Sequence, residues 1–317
     1  MDFLFVLQQA RESVPDFVNT IFYFLSEVLV KLYIAIPFVI YWCINKYAGR
    51  WMIFSFSSGY FVNQTVKNIA CVYRPWILDS RLYVSHVAEK GATGYSFPSG
   101  HTATTALVFE SLAVWQRKRK WVVAISAVAI FLMAFVRNWL GAHTPTDVIC
   151  AILIAAVVVV LTMLISKFAE SNSRFDWIFL VAGILICAGI TIFLQFKNYP
   201  MDTDANGNLL ADPYKMLTDC YSAAGILCGF LAGNFLEKRF VNFSEDGTVK
   251  NKIFRGIFGV FVVIAIYLIF SLALKHCDEH LSHIIKYFAI FFFATYGYPC
   301  IFNAVQKRKS VQSTQVQ

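Results

Sequence analysis

The sequence has 317 residues, of which 58% are hydrophobic and only 15% are charged, and its mean hydropathy is +0.60. A soluble protein of this length needs more polar residues to cover its surface, so these values exclude a soluble globular protein. The net charge is +8, but no basic face with interleaved aromatic residues accompanies it, which argues against nucleic-acid binding.

Long apolar stretches recur along the chain, and a membrane helix needs about 20 mostly apolar residues. The sequence therefore predicts an all-α, polytopic membrane helical bundle. An amphipathic interfacial segment is predicted at residues 1–29, and about nine transmembrane helices follow it. The predicted spans cover residues 30–45, 51–72, 101–116, 119–138, 146–166, 176–196, 215–236, 253–274 and 284–304.

The loop charges orient these spans, because cytoplasmic loops are enriched in Lys and Arg. Every second loop is basic, and the loops between them are acidic or mixed. The prediction is an N-terminus outside and a C-terminus in the cytoplasm. The basic segments contain Lys46 and Arg50; Arg117, Lys118, Arg119 and Lys120; Lys167 and Arg174; Lys238, Arg239, Lys250, Lys252 and Arg255; and Lys307, Arg308 and Lys309.

The first of three motifs is Lys67 followed seven residues later by Arg74 and then Pro75. Seven residues are two helical turns, so the two cations share a face and lie about 10 Å apart along the axis. Pro75 ends the helix. A cation inside a span is costly and usually has a partner. The alternative is a pair of cations that snorkel at a helix end.

The second motif is Pro98-Ser99-Gly100-His101, directly before the third predicted span. Ser99 suits an N-cap, and Gly100 allows a ligand to approach the backbone closely. The amides and dipole of a helix N-terminus favour an anion, and His101 could exchange a proton with it. The alternative is an ordinary Ser cap with an incidental histidine.

The third motif contains Arg137, His143 and Asp147, between the fourth and fifth spans. Thr144 is predicted to be an N-cap, Pro145 the first helical residue, and Asp147 the acidic partner in a capping box. Asp147 also lies four residues after His143. A carboxylate there can hold one imidazole nitrogen and make the other more nucleophilic, and both roles are compatible.

Together the motifs favour phosphoryl transfer, which needs cations for the non-bridging oxygens, an in-line nucleophile and an acid for the leaving group. Two of the six histidines fall at predicted outer helix starts, in the same layer as three cations. No acidic metal-binding cluster accompanies them. We therefore expect charge stabilisation from Lys, Arg and backbone amides, with neither a metal nor another cofactor.

The three stretches resemble the signature motifs KxxxxxxRP, PSGH and SRxxxxxHxxxD of the type 2 phosphatidic acid phosphatase superfamily. That superfamily includes membrane lipid phosphatases, glucose-6-phosphatase and the vanadium haloperoxidases. The resemblance covers about residues 50–166 and departs at one position, where Val136 replaces the Ser that opens the third motif. This replacement removes a hydroxyl near the phosphate site.

The resemblance implies that His143 attacks phosphorus to form a phosphohistidine and that Asp147 orients His143. It implies that His101 protonates the leaving oxygen and then activates water. The groups that it implies for holding the phosphate oxygens are Lys67, Arg74, Arg137 and the amides of Ser99 and Gly100.

The predicted function is a metal-independent phosphatase acting on a membrane lipid phosphate or diphosphate at the extracytoplasmic face. Residues 30–166 are the predicted catalytic core and 307–317 a cytoplasmic polar tail. The additional four-span region, 167–306, has two open roles, shaping substrate access or forming a homodimer contact. Composition favours a bacterial cytoplasmic membrane. The alternatives are a sugar-phosphate phosphatase of glucose-6-phosphatase type and a non-catalytic anion transporter.

Four further features have competing interpretations. The segment Asp202 to Asn208 is either half of a calcium loop around Asp202, Asp204 and Asn206 or a polar Asn-Gly turn. Glu110, in the middle of a span, is either functional or paired with a neighbouring helix. Glu27 and Lys31 are predicted to form a local helix ion pair. The last feature is a group of three histidines that forms either a zinc site or part of a solvent-exposed loop next to the membrane, namely His276, His280 and His283.

Overall fold

The computed structural model describes residues 1–89 and 94–315, and these residues are almost entirely helical. The helices are α1 (Asp2–Glu12), α2 (Asp16–Cys43), α3 (Lys46–Ala70), α4 (Pro75–Leu78), α5 (His86–Glu89), α6 (Gly100–Trp115), α7 (Lys120–Trp139), α8 (Pro145–Ser171), α9 (Asp176–Phe196), α10 (Pro213–Leu236), α11 (Val249–Ala273), α12 (Glu279–Phe292) and α13 (Tyr298–Gln315). Single π-helical turns follow α10 (Glu237–Val241) and α12 (Phe293–Gly297).

Within the described ranges, seven helical segments are long and apolar enough to cross a membrane. They are α2, α7, α8, the segment Ser173–Phe196, the segment Pro213–Val241, α11 and the segment Glu279–Gln306. The prediction of an all-helical, multi-pass membrane protein is confirmed at this level.

Two of the nine predicted spans, 51–72 and 101–116, are not among these seven segments. Helix α6 has 16 residues, about 24 Å of helix, which is shorter than the hydrocarbon core of about 30 Å. Helix α3 is long enough, with 25 residues, but its second half buries Asn63, Gln64, Lys67 and Asn68. These polar side chains lower the mean hydropathy of α3. They are tolerated in this helix because they face the interior of the protein.

The start of the chain also differs in detail from the predicted interfacial segment at residues 1–29. Helix α1 is separate, but α2 begins at Asp16 and continues without a break through the predicted first span. Residues 16–29 are therefore the first half of a long apolar helix, which places Glu27 within that helix.

The chain divides into two compact units, which are interleaved along the sequence. Unit 1 comprises residues 1–34, 58–162 and 192–220, and unit 2 comprises residues 35–57, 163–191 and 221–317. All three motifs lie in unit 1. The predicted segments 30–166, 167–306 and 307–317 are divisions along the chain and stay a prediction.

In unit 1, α1, α3 and α7 carry the contacts that position the motifs. The guanidinium of Arg11 on α1 donates hydrogen bonds to the carbonyls of Trp139 (2.9 Å) and Tyr83 (2.6 Å). Gly59 on α3 faces Leu107 on α6 so closely that a Cβ would lie 2.2 Å from a Leu107 methyl. A larger residue there would force the Leu107 side chain to move, so the glycine allows the two motif-bearing helices to pack closely.

In unit 2, α10 and α12 pack backbone to backbone. A Cβ added at Gly225 would lie 2.5 Å from the carbonyl oxygen of Ile284, and one at Gly229 would lie 2.4 Å from that of Phe288. Small residues four apart on one helix face allow this close packing between membrane helices.

Candidate active site

The three motifs meet where α3 and α7 end and α6 and α8 begin. Two long-range backbone hydrogen bonds connect these segments, from Ser96 N to Val72 O at 2.7 Å and from Ser99 N to Asp147 O at 3.1 Å. A third, from Ala142 N to Arg137 O at 3.2 Å, is local to the end of α7. Residues that are far apart in the sequence are thus fixed around one buried polar centre.

The capping box predicted at the start of α8 is confirmed. Asp147 N donates to Thr144 Oγ1 at 3.2 Å, and Thr144 N donates to Asp147 Oδ2 at 2.7 Å. Pro145 is the first residue of the helix. The adjacent carbonyl of His143 accepts a hydrogen bond from Asn138 Nδ2 at 3.0 Å. The backbone on both sides of the His143 side chain is therefore held in place.

The imidazole of His143 is buried, and each of its nitrogens has a different neighbour. Nε2 lies 3.1 Å from Arg74 Nη1. Nδ1 lies 3.3 Å from Ser96 Oγ and 3.5 Å from Asp147 Oδ2. Ser96 Oγ donates to Asp147 Oδ2 at 2.6 Å. The Ser96 hydroxyl thus links the imidazole to the carboxylate, and this chain of acceptors assigns the ring proton to Nδ1.

The electrostatic surroundings keep His143 neutral. Burial, followed by the positive charges of Arg74 and Arg137, lowers the pKa of His143 well below the ordinary value of 6.5. With the proton on Nδ1, Nε2 carries the lone pair at neutral pH and accepts a hydrogen bond from Arg74 Nη1 at 3.1 Å. A neutral imidazole is the reactive form of a histidine nucleophile.

The motif cations Lys67, Arg74 and Arg137 are all buried. Arg74 donates to the carbonyls of Ala142 (2.8 Å) and Gly94 (3.0 Å). Burial, and then the charge of Arg137, lowers the pKa of Arg74 to about 9, so it stays protonated at neutral pH. Lys67 Nζ donates to Tyr95 O at 3.4 Å. Carbonyl groups do not cancel these positive charges.

Two hydrogen-bond donors of the Arg137 guanidinium have no partner among the described residues. They are Nε and Nη1, and the Arg137 side chain is 2% exposed. Buried donors without partners are uncommon and costly. An anion bound at this point would satisfy them.

The second motif differs from its prediction in two respects, and both concern Ser99. Ser99 occupies the N-cap position of α6, but its side chain does not cap the helix. Its backbone N–H, predicted to hold phosphate, instead donates to Asp147 O, because that bond ties α6 to α8. The Gly100 N–H belongs to the first turn of α6, where amides have no acceptor within the helix.

His101 lies beside Glu27, which the sequence assigned only to an ion pair with Lys31. His101 Nε2 is 2.8 Å from Glu27 Oε1, and Arg137 Nη1 is 4.0 Å from the same oxygen. Lys31 Nζ lies 3.9 Å from Glu27 Oε2 and is 74% exposed. The local pair is therefore present, but the closer contact of Glu27 is with the second motif.

Sequence reasoning missed three residues of this centre, namely Ser96, Glu27 and Asn63. Asn63 is 1% exposed, and neither of its amide atoms has a hydrogen-bond partner among the described residues. Its Oδ1 lies 4.0 Å from where a Gly100 Cβ would stand. Its position one helical turn before Lys67 is the signal that could have identified it, since i and i+4 share a helix face.

The loop suspected of binding calcium has its carboxylates occupied. Asp204 Oδ1 accepts from the amides of Asn206 (2.8 Å) and Asn208 (2.9 Å), and Asp202 Oδ2 accepts from the Tyr73 hydroxyl at 2.7 Å. An Asx turn accounts for the Asp204 bonds. Calcium binding stays a prediction.

Two further sequence features have defined surroundings. His283 Nδ1 lies 2.9 Å from Ser222 Oγ, and His280 stacks on Tyr221. Over residues 1–89 and 94–315, no group of three His, Cys, Asp or Glu side chains is arranged to hold a metal ion. Glu110 Oε2 is buried and has no hydrogen-bond partner within those residues.

Comparison with known proteins agrees with the motifs. Residues 48–171 match the family model of the PAP2 superfamily, and residues 221–310 match that of the transmembrane extension of PAP2 superfamily phosphatases. The two models together match about two thirds of the chain. The chain belongs to the PAP2 superfamily, the type 2 phosphatidic acid phosphatases.

One curated relative is human sphingosine-1-phosphate phosphatase 2, which is 26% identical over 207 residues. The match covers 64% of this chain and 48% of the relative, so the chain spans about half of the relative's length. No solved structure matches the chain.

Proposed function

We propose that the chain is a membrane lipid phosphatase that acts through a phosphohistidine on His143. One observation carries the proposal: Nδ1 of His143 faces Ser96 and Asp147, whereas Nε2 lies 3.1 Å from Arg74. The lone pair of Nε2 can then attack phosphorus when Arg74, which donates to it here, turns its N–H to a non-bridging oxygen of the substrate.

The proposed reaction has two steps. First, His143 Nε2 bonds to phosphorus, the bond between phosphorus and the ester oxygen breaks, and His101 gives that oxygen a proton. Second, His101 takes a proton from water, the water oxygen bonds to phosphorus, and the phosphorus–nitrogen bond breaks to release inorganic phosphate. The negative charge on the non-bridging oxygens is balanced by Lys67, Arg74 and Arg137, with the amide of Gly100 and the hydroxyl of Ser99 as further donors.

We further propose nine membrane crossings, with α3 and α6 adding to the seven apolar segments. The alternation of basic loops supports an N-terminus outside, a C-terminus in the cytoplasm and an extracytoplasmic site. A reporter fused near Lys118 is expected to lie in the cytoplasm, and one near Ala205 outside. The reverse pattern would contradict this topology.

A lipid with a single phosphate is the proposed substrate class. A site level with the outer leaflet can receive a headgroup while the acyl or sphingoid chains stay in lipid. The name of the human relative supports a sphingoid phosphate as the first compound to assay.

A substrate panel tests the proposal. Purified protein in lipid–detergent micelles would be given sphingosine-1-phosphate, phosphatidic acid, a prenyl diphosphate and glucose 6-phosphate. We expect kcat/KM to be at least about tenfold higher for a lipid monophosphate than for the sugar phosphate, and a phosphohistidine to be trapped during turnover. A preference for glucose 6-phosphate would indicate a sugar phosphatase. Phosphate uptake by vesicles without hydrolysis or a phosphohistidine would indicate a transporter.

A further inference from the structure

The carboxylate of Glu27 lies at the edge of the proposed phosphate site. It comes from α2, whereas the three motifs come from α3, α6, α7 and α8. One of its oxygens is 2.8 Å from His101 Nε2 and 4.0 Å from Arg137 Nη1. The side chains of Glu27 and His101 are 25% and 22% exposed, so the pair is partly shielded from water.

This contact determines how His101 can carry protons. An ionised carboxylate only accepts hydrogen bonds, so His101 Nε2 must hold a proton to make the contact. The neutral ring then has its lone pair on Nδ1. A protonated ring would be stabilised by the adjacent negative charge and could give up the proton on Nδ1. The contact also fixes the plane of the ring.

We infer that Glu27 is a positioning residue that orients His101 and stabilises its protonated form for proton transfer to the leaving oxygen, an inference that rests on the proposed function. The site then contains two histidine–carboxylate pairs with different tasks. His143 is kept neutral as the nucleophile, whereas Glu27 supports the charged form of His101. Different neighbours around two similar groups are a recurrent way to separate acid from nucleophile.

The test varies the leaving group and keeps the phosphate constant. An alkyl phosphate releases an alkoxide that needs a proton, whereas nitrophenyl phosphate releases a phenolate that does not. Glu27→Gln removes the charge and keeps the size of the side chain. In the full-length protein in micelles, we expect the single-turnover rate of phosphohistidine formation from a long-chain alkyl phosphate to fall by about 100-fold, within the range of general acid catalysis. We expect the same rate for nitrophenyl phosphate, which does not include the hydrolysis step that needs His101 as a base, to fall by no more than about threefold.

Matched variants separate this role from a structural one. Asp16→Asn removes a carboxylate from the exposed start of the same helix and is expected to leave both rates unchanged. Glu27→Asp keeps the carboxylate and should restore part of the alkyl phosphate rate, and it also provides a measurement if Glu27→Gln does not accumulate. Combining Glu27→Gln with His101→Ala should cost no more than His101→Ala alone, because the two residues act as one unit.

Two results would overturn the inference. Equal losses in the rate of phosphohistidine formation from both substrates would mean that Glu27 only supports the fold. A lower KM or faster turnover in Glu27→Gln would mean that the carboxylate competes with phosphate for His101 and Arg137. A different result would contradict the proposed function itself, namely that the wild-type protein hydrolyses neither substrate and forms no phosphohistidine.

Discussion

The molecule contains two buried clusters of charge, one in each unit, and they differ in how the charges are balanced. In unit 2, Glu237 is fully buried, and its carboxylate lies 2.7 Å from Lys46 Nζ and 2.8 Å from Arg50 Nη2. Lys238 Nζ lies 2.8 Å from Asp176 Oδ1, and Arg50 also pairs with Glu170. Each of these three cations thus contacts a carboxylate directly.

The cluster in unit 1 is built differently. The described contacts of Lys67 and Arg74 include backbone carbonyls and the His143 ring, and Arg137 lies 4.0 Å from the carboxylate of Glu27. Two nitrogens of Arg137 have no hydrogen-bond partner among the described residues. These two buried nitrogens are therefore available to a bound anion.

The comparison distinguishes a structural ion network from a binding site. Burying a charge is costly, and a paired cluster compensates for that cost within the fold. In unit 1 the buried guanidinium of Arg137 keeps donors without a partner among the described residues, and a bound anion would supply that partner. A phosphate site requires such donors. The following predictions test that difference, from the largest expected effect to the smallest.

The histidines of the two units should differ most. His143→Ala removes the proposed nucleophile, and we expect turnover of lipid phosphate to fall by about 10⁴-fold or more. His283→Ala in unit 2, which removes a partly buried histidine bonded to Ser222, should leave turnover within about twofold of wild type. Undiminished turnover in His143→Ala would refute the assignment of the nucleophile.

Removing one charge from each cluster should have opposite consequences. Arg137→Gln is expected to lower kcat by about 100- to 1,000-fold, as for loss of one donor to a developing anion, with little loss of thermal stability. Glu237→Gln removes the buried carboxylate that Lys46 and Arg50 share and leaves Arg50 with Glu170, and it should cost about 3–5 kcal/mol of stability. Its kcat per folded molecule should not change. Thermal melting and turnover of the two purified variants would check both outcomes, and equal destabilisation would remove the distinction.

Two serine hydroxyls that bond a histidine provide a finer test. Ser96→Ala breaks the link between His143 and Asp147, and we expect kcat to fall by about tenfold because orientation weakens while the nucleophile remains. Ser222→Ala removes the equivalent hydroxyl from His283 in unit 2 and should have no effect on turnover. Phosphohistidine formation in a single turnover would show whether the loss in Ser96→Ala lies in the first step.

The smallest effect concerns pH. Because the pKa of His143 is well below 6.5 in the folded protein, the nucleophile should remain neutral at pH 5.5. Phosphohistidine formation from nitrophenyl phosphate should then change by less than about twofold between pH 7.5 and 5.5, whereas a histidine with a pKa of 6.5 would lose about tenfold.

The free energy of unfolding should depend on pH through the same histidine. Below about pH 6.5 the unfolded chain binds a proton that the folded chain does not, so the contribution of His143 to stability falls as pH falls.

Some of the site could be predicted because its interactions are local. The capping box of Thr144 and Asp147 depends on residues three apart at the start of one helix, and spacing alone identifies it. The shared face of Lys67 and Arg74 follows from helical geometry, and the membrane class follows from composition. The helix count could not be predicted as securely. The polar face of α3 and the short length of α6 make the two motif-bearing helices poor matches to a hydropathy criterion.

The sequence by itself therefore determined the class of protein, the three motifs and the local geometry around His143. Only the tertiary structure decided which groups complete the site. Ser96 reaches His143 across 47 residues, and Glu27 reaches His101 across 74. No periodicity encodes such contacts, because they arise when separate helices pack. The pairing of Glu27 with Lys31 is visible in the sequence, but the closer and less exposed partner, His101, appears only in the fold.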